Sequence, residues 1–211
     1  MAQIVNPQIE DYLKNLYDDG DPVRHEMEEL AAKKGFPIVG PLVGRMLLLL
    51  TRAIGAKRVF ELGSGYGYSA LFFARGVGPE GVVHCTDTSE ENVQLAKGFL
   101  SRAGVFSRVT YHREEATAAL RRVGGTWDIV YNDIDKDGYP DTVDLAYERL
   151  RPGGLFITDN VLWSGRVLPG QNDPAASTRG VVEFTRRLFQ HQGFLTSVNP
   201  TRDGVAVALR V

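Results

Sequence analysis

The chain has a single cysteine, Cys85, so no intramolecular disulfide can form and stability must come from a packed core, for which 211 residues suffice. Positive charge is not in surplus: 24 Lys and Arg stand against 26 Asp and Glu, a net charge of −2. This balance lacks the basic footprint that grips phosphate backbones, so nucleic acid is not an expected partner. Long apolar runs are missing as well. The most apolar run, Met46 to Leu50, is bracketed by Arg45 and Arg52 and falls far short of the roughly 20 residues of a membrane span. The opening MAQIVNPQIEDYLK has neither the basic nor the apolar region of a secretory signal, and the expected location is the cytoplasm. His25, His84, His112 and His191 are scattered without paired metal-ligand spacing, and His84 and Cys85 read as core. No Gly-x-Ser-x-Gly nucleophile elbow and no Gly-Lys-Ser/Thr phosphate loop occurs.

What is present is an alternation of apolar runs. Ile9, Tyr12, Leu13 and Leu16 recur at helical spacing, and Asp21 with Pro22 opens a second helix whose buried stripe is Val23, Met27, Leu30 and Ala31. A third helix is predicted over Gly40 to Ile54. These form an N-terminal helical layer, residues 1–54, whose stripes need a sheet to cover. Short β runs follow at Arg58–Leu62, Gly81–Asp87, Arg108–His112, Trp127–Asp133 and Leu155–Asp159. Between them lie helices at Tyr68–Arg75, after a Thr88/Glu91 capping box, and through Val143, Ala146, Tyr147 and Leu150. Asp173-Pro174 opens a last helix, and two closing strands flank Asn199–Gly204 as an antiparallel hairpin. The prediction is one α/β domain over residues 1–211. Its core, 55–211, is a doubly wound, seven-stranded, mostly parallel Rossmann-like sheet.

Chemistry gathers at the strand ends. Glu61-x-Gly63-x-Gly65-x-Gly67 joins a strand to a helix, where glycines let the backbone turn and approach a ligand. Its G-x-G-x-G spacing departs from the G-x-G-x-x-G of dinucleotide binders, and Glu61 would repel a pyrophosphate. Asp87, about 20 residues on, sits where a carboxylate accepts both hydroxyls of a ribose. A tight turn followed by a capping aspartate is the plainer alternative. Asp133 ends the fourth strand and Asp159-Asn160 the fifth, so all three converge at the carboxyl edge of the sheet. Two carboxylates and an amide make a hard-oxygen set for Mg²⁺ or Ca²⁺; helix caps and turn formers are the alternative. Lys136 is a base if its environment lowers its pKa and otherwise a surface lysine. Trp163 is a wall for a flat substrate or an exposed loop residue.

Taken together, Gly55–Ala70, Asp133-Ile-Asp-Lys136 and Asp159-Asn-Val-Leu-Trp-Ser-Gly-Arg-Val167 resemble the cation-dependent class I O-methyltransferases, the group of catechol and caffeoyl-CoA O-methyltransferases and their bacterial relatives. The resemblance runs from about Phe36 to Val211. It implies methyl transfer from S-adenosylmethionine to a hydroxyl of a catechol-like small aromatic. Asp133, Asp159 and Asn160 would ligate a divalent cation, Mg²⁺ first, with Ca²⁺ or Mn²⁺ as alternatives, and Lys136 would be the base. Val39, Glu61, Gly63, Ser64, Gly65, Ser69, Asp87, Thr88, Glu115 and Asp133 fall at donor-binding positions, Glu115 in place of a usual aspartate near the adenine. A homodimer is implied too. Two departures stand out, Gly44-Arg45 where relatives usually carry Gly-Gln, and Asn132 where an apolar residue usually precedes the metal aspartate. The rival classes are a catalytically silent nucleoside-binding module and a nicotinamide-dependent oxidoreductase, against which the missing G-x-G-x-x-G spacing counts.

Overall fold

The computed structural model describes residues 4–171 and 173–211. Three helices lead the chain, α1 (Pro7–Leu16), α2 (Pro22–Lys34) and α3 (Gly40–Ala53). Then come β1 (Arg58–Leu62), α4 (Tyr68–Gly76), β2 (Val82–Thr86), α5 (Glu90–Arg102), β3 (Val109–His112), α6 (Ala116–Val123) and β4 (Trp127–Asn132). A 3₁₀ segment, Lys136–Asp141, leads into α7 (Thr142–Arg149), β5 (Leu150–Thr158), α8 (Ala176–Gln190), β6 (Phe194–Asn199) and β7 (Val205–Arg210). The seven strands are ordered β3-β2-β1-β4-β5-β7-β6, with β7 antiparallel to both β5 and β6 and the rest parallel. The chain therefore reverses its winding direction between β1 and β4, which opens a crevice at their carboxyl ends.

The central strands are apolar on both faces, as a sheet covered on two sides requires. Val59, Val83, Ile129 and Ile157 pack toward α2–α5, whereas Phe60, Leu62, Val130 and Phe156 pack toward α6–α8. Period-2 alternation thus decides which face each residue serves, and it puts Glu61, with Val59, on the α2–α5 side. Asp21 caps α2 through Val23 N with Pro22 in the first turn, as predicted. No helix among the described residues is long and apolar enough to cross a membrane.

Several local expectations need correction. The stripe of α1 is largely uncovered among the described residues: Ile9, Tyr12 and Leu16 are more than half exposed and Leu13 is half-buried, because α1 lies against α3. The cap of α5 is Ser89, not Thr88; Asp87 Oδ1 accepts from Ser89 N and moves the helix start one residue on, while Glu91 pairs with Lys34. Leu150 belongs to β5 rather than to the preceding helix. Ala175 stands at the start of α8, with Asp173 accepting from Ala175 N and Thr178 Oγ1. The short helix α6 was not expected, although Ala116, Ala119, Leu120 and Val123 carry its period at i, i+3, i+4 and i+7.

Candidate active site

The crevice is a cleft of about 550 Å³. It begins at the loop after β1, where Gly63 adopts φ +79° and a Cβ would fall 2.7 Å from the Asp133 carbonyl oxygen. Only glycine lets the β1 and β4 ends approach so closely. The loop is tied to β2 by a reciprocal set of bonds. Ser64 N donates to Thr86 O (2.8 Å), Thr86 N donates to Ser64 Oγ (3.1 Å), and Gly63 N donates to Thr86 Oγ1 (3.0 Å). Gly67, at φ +89°, starts α4. Tyr66 Oη donates to Met27 O at 2.8 Å and Tyr68 Oη to Glu28 Oε1 at 2.5 Å, which fixes α2 beside the loop.

Along one wall the cleft gathers Val39, Gly63, Ser64, Gly65 and Ser69, and along the next Asp87, Thr88 and Glu115. Asp87 is already polarised by Ser89 N (2.7 Å) and Asn92 Nδ2 (3.2 Å). Glu115 turns its carboxylate back to cap α6, accepting from Thr117 N and Ala118 N, which holds it below the usual carboxylate range against the cost of its burial. Glu61 lies beneath the loop and outside the cleft lining. It is fully buried, accepts from the hydroxyl of Ser69 and the thiol of Cys85, and is pushed by burial up to about 7.

At the far end, ladder bonds align the strand ends: Asp133 N donates to Leu62 O at 2.9 Å and Asp159 N to Asn132 O at 3.2 Å. Asp133, Lys136, Asp159 and Asn160 thus share the cleft. Lys136 Nζ donates to Asp133 Oδ1 at 2.8 Å. Burial raises the Asp133 carboxyl, opposed by Lys136. Asp159 is raised to about 7, first by burial and then by the charge of Asp133. Its Oδ1 is buried without a hydrogen-bond partner. Asn160 takes a left-handed φ of 59°, a conformation asparagine tolerates. Trp163 stands outside the lining; its Nε1 donates to Thr178 Oγ1 at 3.0 Å, and its ring faces Lys136 Nζ at 5.7 Å.

The arrangement is two-ended, a glycine loop with Asp87 at one end and paired carboxylates with a lysine at the other. The O-methyltransferase family model matches residues 18–211. The chain belongs to the O-methyltransferase family. A catechol O-methyltransferase of Mycobacterium tuberculosis is 32% identical over 173 residues, covering 79% of this chain and 77% of that one. The O-methyltransferase of Bacillus cereus in complex with SAH superposes with a TM-score of 0.86 at 25% identity, covering 97% of each chain. An O-methyltransferase of tomaymycin synthesis from Streptomyces achromogenes, in complex with SAM, gives 0.86 at 26% identity over 97% of this chain and 96% of that one.

In this O-methyltransferase two residues beside the cleft escaped sequence reasoning. Tyr139 Oη donates to Asp159 O at 3.0 Å and braces the second carboxylate from below. Arg202, in the β6–β7 turn, donates through Nη1 to Ile38 O at 2.6 Å and reaches the cleft wall from the far end of the chain. Neither lies in a motif; the φ of 52° at Arg202 is visible only in the fold. The histidines, expected to be scattered, include a pair: His84 Nδ1 and His112 Nε2 are 3.0 Å apart on neighbouring β2 and β3, and His84 is half-buried.

Proposed function

We propose that this O-methyltransferase moves the methyl group of S-adenosylmethionine to one hydroxyl of a catechol-like acceptor, with a divalent cation held by Asp133, Asp159 and Asn160. Two structural relatives carry SAM or SAH, and one sequence relative is named for catechol, which supports both the donor and the acceptor class. The observation that carries the cation is the buried, unpartnered Asp159 Oδ1 beside a second raised carboxylate. Lys136 compensates Asp133, whereas Asp159 Oδ1 has no partner of its own, and a hard cation supplies one. Among the described residues no group of three or more His, Cys, Asp and Glu forms a metal cluster, so the fit rests on two carboxylates and the Asn160 amide.

The chain's own residues divide the work. Ser64, Ser69 and Asp87 orient the donor, and the buried Glu61 fixes Ser69 from below. A bound divalent cation supplies Lewis acidity that lowers the pKa of a coordinated hydroxyl. Lys136 is the base that takes the phenolic proton; the oxyanion attacks the methyl carbon, the C–S bond breaks and S-adenosylhomocysteine leaves uncharged at sulfur. Charge is dispersed along this path, so alignment dominates, worth about 7–11 kcal/mol in well-oriented cases.

The test is a mass-spectrometric assay of methyl gain on a panel of catechols with S-adenosylmethionine, run with Mg²⁺ and with EDTA. Product only with Mg²⁺ is the expected result. Product in both arms keeps methyl transfer and rejects the cation; product in neither rejects the acceptor class.

A further inference from the structure

The turn between β6 and β7 is bound on both sides to the acceptor end of the cleft. Val161 N donates to Gly204 O at 3.0 Å and Leu162 N to Asp203 O at 2.9 Å, so the turn lies along the segment that follows Asp159 and Asn160. Asp203 Oδ1 accepts from Ser164 N, which adds a third stitch. From this anchored backbone the Arg202 side chain crosses to the opposite wall, where Nη1 meets Ile38 O at 2.6 Å. Ile38 lines the same cleft as Asp133 and Asp159. The Arg202 side chain thus bridges the segment that follows Asn160 and the Ile38 wall, beside the cleft rather than in its lining.

Among the described residues Arg202 forms no salt bridge, and only Nη1 has an acceptor. This is unlike the other cation at that end, since Lys136 is paired with Asp133. The nearest carboxylate in sequence, Asp203, is turned to Ser164 N. Nε and Nη2 are thus left free on a planar fork whose geometry matches a carboxylate. The φ of 52° at Arg202 belongs to the β6–β7 turn, which fixes where the side chain leaves the backbone.

We infer that Arg202 selects acceptors that carry an anionic substituent, a carboxylate on the catechol ring or its side chain, by pairing its free guanidinium edge with that group. The inference rests on the catechol reading above and narrows it: the acceptor is a dihydroxy aromatic acid rather than a neutral catechol. Asp133 and Lys136 then address the vicinal hydroxyls while Arg202 addresses the far end of the ring. Three fixed points settle which hydroxyl faces the donor.

The test compares 3,4-dihydroxybenzoate with catechol in wild-type protein, Arg202→Gln and Arg202→Lys. Each is read twice, by calorimetric binding in the presence of S-adenosylhomocysteine and Mg²⁺ and by kcat/KM. Wild-type protein is expected to bind 3,4-dihydroxybenzoate at least tenfold tighter than catechol. Arg202→Gln should lower affinity for the acid about 10- to 100-fold more than for catechol, as loss of a charged hydrogen-bonded pair implies, and Arg202→Lys should recover part of it. S-adenosylhomocysteine affinity and thermal melting of each variant show whether the Ile38 wall has collapsed. Equal binding of the two compounds by wild-type protein overturns the inference, as does a parallel loss of both in Arg202→Gln and Arg202→Lys. Failure of the catechol reading looks different: neither compound is methylated, although selective binding of the acid and its loss in Arg202→Gln still report on Arg202.

Discussion

Helix α8 lies directly on the backbone of Lys136 at Gly180, where a Cβ would fall 2.1 Å from the Lys136 carbonyl oxygen. Its contact with the 3₁₀ segment fixes the lysine from outside the cleft. Gly180→Ala is therefore expected to do what few alanine substitutions in a helix do. It should destabilise by about 1–3 kcal/mol through overpacking despite the better helix propensity of alanine. Because the displaced segment carries Lys136, kcat should fall at least about tenfold. Chemical denaturation and methyl-transfer rates check the two effects; a variant as stable and active as wild type would show that the contact relaxes freely.

Asp133 holds Lys136 Nζ at 2.8 Å and is half of the carboxylate pair. Asp133→Ala should cost about 10²–10⁴ in kcat/KM, the range of a lost acid–base arrangement, and more if the cation is lost with it. Binding of S-adenosylhomocysteine should remain measurable by calorimetry, because Asp87, Ser64 and Ser69 stand on other segments. If turnover and binding disappear together, Asp133 belongs to the framework of the cleft and not to the chemistry.

The strands, their parallel pairing and the closing hairpin were legible because β runs alternate with helical stretches and four of them, β1, β2, β4 and β5, run straight into a glycine or an aspartate. That local signal survives without tertiary context. Asp133, Lys136, Asp159 and Asn160 were legible for the same reason, since strand ends on one sheet edge must converge. Arg202 and Tyr139 were not, because their roles come from contacts across the fold, Arg202 to Ile38 and Tyr139 to the Asp159 carbonyl. The helical period of α1 was read correctly while its burial was not; periodicity shows that a face is apolar and not what covers it. The His84–His112 pair was hidden because register, not spacing, brings β2 and β3 side by side.

That histidine pair sets a testable acid limb of stability. Arg122 can only donate, so its 3.1 Å contact to His112 Nδ1 leaves the proton of neutral His112 on Nε2, which donates to His84 Nδ1 at 3.0 Å. Burial, the neighbouring imidazole and Arg58 push His84 down to about 4, and burial and Arg122 lower His112. Groups depressed below their ordinary 6.5 in the fold bind fewer protons there than in the unfolded chain. Their contribution is present above about pH 6.5 and is lost as pH falls toward 4. Thermal melts of wild type and His84→Gln over that range should diverge, with the variant losing less on acidification. Parallel curves would mean the pair is not titrating with unfolding.

Glu61 works in the opposite direction. It is fully buried and closed to water, accepting from Ser69 and Cys85, and burial raises its carboxyl from 4.5 to about 7. The folded protein holds this proton more tightly than the unfolded chain, so the contribution to stability is present below about pH 4.5 and is lost as pH rises toward 7. Above that window the fold carries a buried carboxylate, at a cost on the order of 3 kcal/mol by the size of the shift. Glu61→Gln preserves an acceptor for Ser69 without the charge. Its stability relative to wild type should therefore rise between pH 5 and pH 8. Denaturant titrations at both pH values isolate Glu61 from Asp159, since only the former changes between the two proteins. A constant difference across that range would mean that Glu61 is already ionised in the fold at pH 5, held so by Ser69, and that its burial is compensated by the network around it.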